Sequence, residues 1–513
     1  MLLSIALIVV LAILIIQLIT IKYEMTSEYF VRSRHTGEDW FIHHDEKIAL
    51  SDGRFLYLKK TQPDLDLWDF LPQPLAATFG VLSPALMYVG FSLFGLNNLG
   101  LRFFNLIINT LTNTLIVFTA FSLLSPILAF ILCLLLMLNW NYFILTRHFV
   151  LENILSLYLA GIFYIYVCHQ SFFASNIFLL ALLSSSVILT KINFPAYILV
   201  LFLPLSFAIN GMVGMITVTI GFVMGLCLFE FLQALILAKY GIAKWRYSNL
   251  FVALKVHAGI QKSMGVRLRP MGLRVFCSVL NLFVEWFGLR RTIINLSKGC
   301  GKGLLLIAIP VIVTLFIFAF DISKPLFILV SFISLYILSL APMHFYLKRV
   351  VSIFPLLLLV VALLLQSVIN QAPQMSLIIQ IGLIGLCGLV LWRQLLIAFE
   401  GYPKRTNSIE TFSKYIEELL PEARSIIYSH CYGFRFLWMQ KAHRFRFADD
   451  NAMNNQEIID WAIKEGGRYV IITTGGSKVA EYALPLIKPI NVLSTTNSDS
   501  DIPEGLVICE LAT

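Results

Sequence analysis

Apolar runs of membrane-crossing length recur along most of this chain, and no other property narrows its fold so far. Residues 2–21, 303–320 and 354–369 are close to or above the ~18 consecutive apolar residues that span a bilayer as a helix. The 513 residues are 58% hydrophobic and 13% charged, with mean hydropathy +0.83. A soluble domain would carry about a quarter charged residues. The pattern predicts an all-α polytopic membrane bundle with spans near 2–22, 101–124, 126–144, 149–168, 176–190, 195–212, 214–236, 303–320, 324–341, 347–369 and 377–397. About 11 transmembrane helices are expected, within a range of 11 to 13. The first run lacks a basic leader and a small-residue cleavage pattern, so it is expected to be retained.

Two stretches interrupt the spans. Residues 23–100 begin polar and end in a semi-apolar stretch, 75–95, that is either a further span or a helix lying along the interface. Residues 238–302 are basic, with Lys244, Arg246, Lys255, Arg267, Arg269 and Arg290 interleaved with Trp245, Phe251 and Trp286. That pattern suits a helix at headgroup depth, or simply a charged rim. The net charge of +9 therefore points to anionic lipid headgroups or a phosphorylated lipid, not nucleic acid. The eight cysteines show no metal-ligand spacing and mostly read as core. Cys431 and Cys509 share one polar region and are candidates to pair.

From Gly401 the composition becomes that of a soluble domain. Asn407-Ser408-Ile409-Glu410 resembles a capping box. Residues 425–430 and 468–473 are β-prone around a helical run at 456–464, so a small C-terminal α/β domain is expected. The division is 1–400 for the transmembrane domain, with external loops 23–100 and 238–302, and 401–513 for the soluble domain. Gly475-Gly476-Ser477-Lys478 after a strand lacks the full phosphate-loop pattern and reads as a turn.

Eleven spans put both long loops and the C-terminal domain on one face and the N-terminus on the other. Loops this long do not vote on orientation by their charge. Four polar clusters share that face: His43-His44-Asp45-Glu46; Arg147-His148 with Glu152; Lys191; and His344, Tyr346, Lys348 and Arg349. Paired carboxylates next to a span are costly unless they meet water, a metal or a cation. Carboxylates can accept a proton from an acceptor group or hold a divalent metal. Lysine and arginine can hold a phosphate as charge develops on it. The bland alternative for each is a charge that anchors a helix end. Arg102, Asn105, Asn109 and Asn113 recur at helical spacing, and interhelical hydrogen bonding is their expected role, ahead of lining a groove.

The chain resembles the C-type superfamily of membrane glycosyltransferases (GT-C), in the branch of protein O-mannosyltransferases and aminoarabinose transferases. The resemblance rests on Asp45-Glu46 in the first external loop, on Pro72-Gln73-Pro74, and on the run from Phe94-Gly95-Leu96-Asn97 to Arg102. It rests further on Arg147 followed by Glu152, and on His344 to Pro355 ahead of a late span. Two positions depart from the family pattern: Glu152 stands for an aspartate, and Leu71 for a histidine or lysine. The resemblance implies an integral plasma (inner) membrane protein with its site and C-terminal domain outside. It implies inverting transfer from a polyprenyl-phosphate sugar to an unidentified external acceptor. Asp45, Glu46 and Glu152 would be the catalytic acids, and Asp45 and Glu46 would hold any divalent metal. Arg147, His148, Lys191, Tyr346, Lys348 and Arg349 would bind the donor phosphate. A transporter of a lipid-linked substrate, or a non-catalytic envelope scaffold, are the competing classes; the absence of an internal repeat weighs against the transporter.

Overall fold

The computed structural model describes residues 1–21, 53–60, 63, 80–239, 324–340 and 351–371, single positions between 377 and 392, Glu417, and five strands beyond it. In chain order the helices are α1 (Leu2–Ile19), α2 (Leu82–Phe94), α3 (Asn98–Leu123), α4 (Pro126–Met137), α5 (Trp140–Arg147) and α6 (Leu151–Cys168). They continue as α7 (Gln170–Ser175), α8 (Ile177–Ser185), α9 (Phe194–Lys239), α10 (Lys324–Leu340) and α11 (Phe354–Gln371). Among the described residues, five helices are long and apolar enough to cross a membrane, or six if α4 and α5 count as one bent span. The expected span at 303–320 lies outside the described residues, as does most of 377–397.

Side chains that span pairs of helices fix which end of each helix lies where. At one end, Arg147 at the close of α5 donates to the Thr20 carbonyl that ends α1. Asn105 near the start of α3 reaches the same turn, and Lys191, before α9, reaches Glu152 at the start of α6. At the opposite end, Ser122 of α3 touches Cys168 of α6, Ser125 N–H donates to Gln366 of α11, and Asn210 of α9 donates to the Ala174 carbonyl. Successive helices therefore run up and down, as the span order predicts. Outward faces such as Ile5, Ile8, Leu11 and Ile15 of α1 remain exposed, as lipid-facing residues would.

Four expected spans differ in form. The run at 126–144 is not one helix: it breaks at Leu138-Asn139 with a bend of 59°. Asn139 causes the break, because its side chain accepts from Tyr142 N–H at 2.9 Å and so begins a new helix. The runs at 195–212 and 214–236 are two helices joined without a loop at Gly211, which adopts φ 57°. The fold-back is tight enough to bring Gly214 against the Ser206 carbonyl. The returning helix packs Gly221 on Ala181 and Gly225 on Ser185, a small-residue contact that lets two membrane helices approach closely. The run at 176–190 is helical only to Ser185 and then tightens to a 3-10 turn over Ser186–Leu189.

The semi-apolar stretch at 75–95 resolves as α2, 13 residues long. Gly80, just before it, lies on the backbone of Leu189 and donates to the Thr190 carbonyl at 3.1 Å. Its far end packs Gly90 on Gly100 at the start of α3. Both ends touch the same end of the bundle, so α2 lies across it and does not pass through it. A helical segment at 53–59 rests on α2, with Gly53 against Met87 and the Tyr57 ring 6.1 Å from Phe91. Arg54 in this segment is fully buried. Burial pushes its guanidinium down to about 9, and the charge of Glu417 pulls the other way. Glu417, which follows the last expected span, therefore stands at this same end.

Beyond Glu417, β1 (Ile426–Ser429), β2 (Arg444–Phe447), β3 (Tyr469–Thr473), β4 (Ile487–Leu493) and β5 (Leu506–Leu511) form one mixed sheet in the order β2-β1-β3-β5-β4. β1 pairs in parallel with β2 and β3, while β5 runs antiparallel to β3 and β4. The strands at 425–430 and 468–473 are therefore present. The helical run at 456–464, the capping box, the glycine turn at 475–478 and Cys431 lie outside the described residues.

Candidate active site

The chain between α5 and α6 is the centre of the polar end of the bundle. His148 and Val150 are extended, so the carbonyls that end α5 need partners from elsewhere. Two asparagine amides supply them. Asn105 Nδ2 donates to Thr146 O at 2.6 Å and His148 O at 2.7 Å. Asn153 Nδ2 donates to Leu145 O and His148 O at 3.3 Å each, and to Asn105 Oδ1 at 3.1 Å. All of these side chains are buried. Lower on the same stripe, Tyr142 OH donates to Asn113 Oδ1 at 3.0 Å, so Asn105 and Asn113 do bond between helices as their spacing predicts.

Three cations and one carboxylate converge on this turn. Arg147 is fully buried and donates to the Thr20 carbonyl, satisfying the end of α1. Arg102 Nη2 lies 2.9 Å from His148 Nδ1. Lys191 Nζ lies 3.0 Å from Glu152 Oε1, with the side chains 13% and 3% exposed, and 5.3 Å from the centre of the Phe194 ring. Glu152 sits in the first turn of α6, where the helix dipole favours an anion. Its Oε2 is buried and takes no hydrogen bond among the described residues. Lys191 is thus the member of the pair that reaches outward, and Glu152 anchors it from within.

The run from Phe94 to Arg102 is built residue by residue into the same end. Gly95 adopts φ 80° at the close of α2, where other residues are strained. Asn97 caps α3 by accepting from Gly100 N–H at 2.9 Å and donates to Phe94 O at 2.6 Å. Gly100 allows the contact with Gly90. Only Arg102 of this run enters the cation cluster.

Arg147, His148, Glu152 and Lys191, scattered in sequence, are therefore brought together. Asp45, Glu46, Tyr346, Lys348 and Arg349 lie outside the described residues. Ile21 and Gly53, which flank the stretch holding Asp45 and Glu46, both stand at the site end. Asn153, Gln17 and Thr146 belong to the cluster and were not anticipated from sequence; Gln17 Nε2 donates to Phe143 O at 3.3 Å. The signal available was a polar residue deep in an otherwise apolar span, which must face the bundle interior.

A divalent metal does not fit the described part of the site. Among the described residues no group of three or more His, Cys, Asp or Glu could hold one. The one carboxylate present, Glu152, is already neutralised by Lys191.

No protein-family model and no curated protein sequence matches the chain. Solved structures do. The crystal structure of ArnT from Cupriavidus metallidurans bound to undecaprenyl phosphate aligns with a TM-score of 0.59 over 98% of this chain and 97% of that one, at 11% identity. The same protein in its apo state gives a TM-score of 0.59 at 10% identity. The archaeal oligosaccharyltransferase AglB from Archaeoglobus fulgidus, in complex with an inhibitory peptide and a dolichol-phosphate, aligns at a TM-score of 0.47 and 10% identity over 91% of this chain and 69% of that one. The near-complete two-way coverage with ArnT shows that this chain shares the fold of that protein.

Proposed function

We propose that the chain is a glycosyltransferase that moves a sugar from a polyprenyl-phosphate donor to an acceptor outside the membrane, with inversion at the anomeric carbon. The observation that carries this reading is the gathering of Arg102, Arg147, Glu152 and Lys191 at the turn between α5 and α6, at one end of a bundle whose fold ArnT shares. ArnT was solved with undecaprenyl phosphate bound, and a phosphate monoester or diester is the anion such a cluster suits.

In this reading Asp45 takes the proton from the acceptor hydroxyl or amine, and Glu46 orients the acceptor. The acceptor atom bonds to the anomeric carbon as the bond from that carbon to the phosphate oxygen breaks. The electron pair leaves on the polyprenyl phosphate. Arg147, His148, Lys191, Tyr346, Lys348 and Arg349 stabilise that developing charge. Glu152 acts through Lys191, holding its ammonium towards the phosphate. In this reading Arg102 joins them, on the strength of its contact with His148. The soluble domain, 401–513, would stand outside beside the first loop, and the acceptor would be a glycan, a lipid or a protein. A metal at Asp45 and Glu46 would supply charge to the acceptor side and is no part of the steps above.

The test is a transfer assay on full-length protein in detergent with a panel of polyprenyl-phosphate sugars, following released polyprenyl phosphate. Release with one donor and none with Asp45→Asn supports the reading. Movement of the intact donor across a proteoliposome membrane without release would establish the transporter instead.

A further inference from the structure

Lys191 is held both at its tip and at its root. Its ammonium meets Glu152 Oε1 at 3.0 Å, and its backbone lies in the turn between the 3-10 segment Ser186–Leu189 and α9. On one side that turn accepts the Gly80 N–H at Thr190 O. On the other it leads into a string of polar and aromatic contacts that ends at the start of α11. Asn193 Nδ2 donates to Tyr197 OH at 3.4 Å. The Tyr197 ring lies 4.7 Å, centre to centre, from the ring of Tyr336 on α10. Tyr336 OH and Ser352 Oγ are 2.9 Å apart, and both side chains are buried. Phe354, two residues after Ser352, sets its ring 5.7 Å from Tyr142, on the helix that ends in Arg147.

Ring packing alone would be met by a phenylalanine at 336, since Phe332 and Tyr197 both offer aromatic neighbours. Burying a phenol costs free energy unless its hydroxyl is bonded, so the Ser352 bond helps set where the ring stands. A lysine stem is long and flexible, and an ion pair at its tip does not by itself fix where its root stands. Small displacements of a group that meets a substrate cost rate. We propose that Tyr336 is a positioning residue for Lys191. Ser352 fixes its hydroxyl, its ring braces Tyr197, and Tyr197 steadies the turn from which Lys191 reaches Glu152. That Lys191 then serves a donor phosphate rests on the proposed transferase function; the brace does not.

The brace is read by solid-state nitrogen NMR of full-length protein labelled with 15N-lysine in lipid nanodiscs, where the Lys191 ammonium signal is the one lost in Lys191→Met. Tyr336→Phe keeps the ring and removes only the hydroxyl, and it should shift or broaden that signal. Ser352→Ala should do the same, and the double variant no more than either alone, because both remove one bond. An unchanged Lys191 signal in both single variants overturns the proposal whether or not the protein transfers sugar. Where transfer is present, Tyr336→Phe should raise the KM for the polyprenyl-phosphate donor about fivefold, the scale of one lost hydrogen bond, with a smaller change in kcat. Ser352→Thr, which keeps a hydroxyl, should recover most of what Ser352→Ala loses; an equal loss would remove the hydroxyl's role. In a Lys191→Met background Tyr336→Phe should add nothing to KM. A further rise there would show that Tyr336 does not act through Lys191, and the assignment would fall.

Discussion

Lys191 Nζ and Glu152 Oε1 meet at 3.0 Å although 39 positions separate them in the chain. The pair ties the turn before α9 to the first turn of α6, and places the only described carboxylate of the cluster beneath its most outward cation. Replacing Glu152 with Gln removes the carboxylate that faces a largely buried ammonium, a change that costs up to about 3–5 kcal/mol in a fully buried pair and less here because Lys191 keeps some exposure. The expected result is a lower melting temperature in detergent for either Glu152→Gln or Lys191→Met. The double variant should regain stability and not regain transfer. A double variant with wild-type transfer would reduce the pair to a structural tie.

Asp45→Asn should lower transfer by about a hundredfold or more, the scale expected when a general base is lost. Membrane insertion and melting temperature should stay at wild-type values. Substantial remaining transfer would remove Asp45 from the mechanism.

The burial of Arg54 makes a pH-dependent forecast. With its folded value pushed down to about 9, the guanidinium binds fewer protons in the folded chain than in the unfolded one between pH 9 and its ordinary range. Stability from this group therefore rises with pH in that window. Any stability deficit of wild type relative to Arg54→Met should shrink as pH is raised above 9, measured as the difference in melting temperature. Glu417→Gln removes the charge that offsets the burial and should lower stability at pH 7 by about 1–3 kcal/mol, read as a lower melting temperature.

Asn139→Ala deletes the cap that starts α5 and should cost about 1 kcal/mol. Because α5 carries Arg147 and His148, the variant should also weaken donor binding. An unchanged KM with lowered stability would show that the bend is mechanically separate from the site.

Sidedness is open to chemical labelling. Lys60 is exposed at the site end and Ser175 is exposed at the other. In whole cells, cysteine at 60 should react with a membrane-impermeant maleimide and cysteine at 175 should not until the membrane is opened. The reverse pattern would put the site in the cytoplasm.

Much of the bundle was legible because a bilayer allows so few solutions: apolar length gives the spans, and a polar side chain inside one must find a partner. Asn105 and Asn113 illustrate this, and so does the grouping of Arg147, Glu152 and Lys191 at one end. What the pattern hides is where one side chain outweighs a continuous run. Asn139 sits in such a run and cuts it by capping a new helix, which hydropathy does not register. Gly211 reverses the chain with no polar loop, yet the expected boundary between the spans at 195–212 and 214–236 falls within two residues of it. In the sheet, β4 contains Pro489, and its ladder shifts register between Pro489 and Asn491; a proline inside a strand argues against one from sequence alone. Asn153 escaped notice because its duty, gripping carbonyls of another helix's last turn, depends on a packing that no local pattern encodes.

The glycines at 80, 90 and 225 bear on how mutational data from this protein should be interpreted. At each, atoms of a neighbouring helix or turn fill the volume where a first side-chain carbon would begin. A saturation library should find these positions among the least tolerant in the molecule, although none carries a reactive group. Two of them, Gly80 and Gly90, seat α2 across the polar end, so even alanine there would tilt that helix and disturb catalysis at a distance. Intolerance near this site is thus a measure of fit as much as of chemistry, and only a readout that separates folding from turnover can tell the two apart.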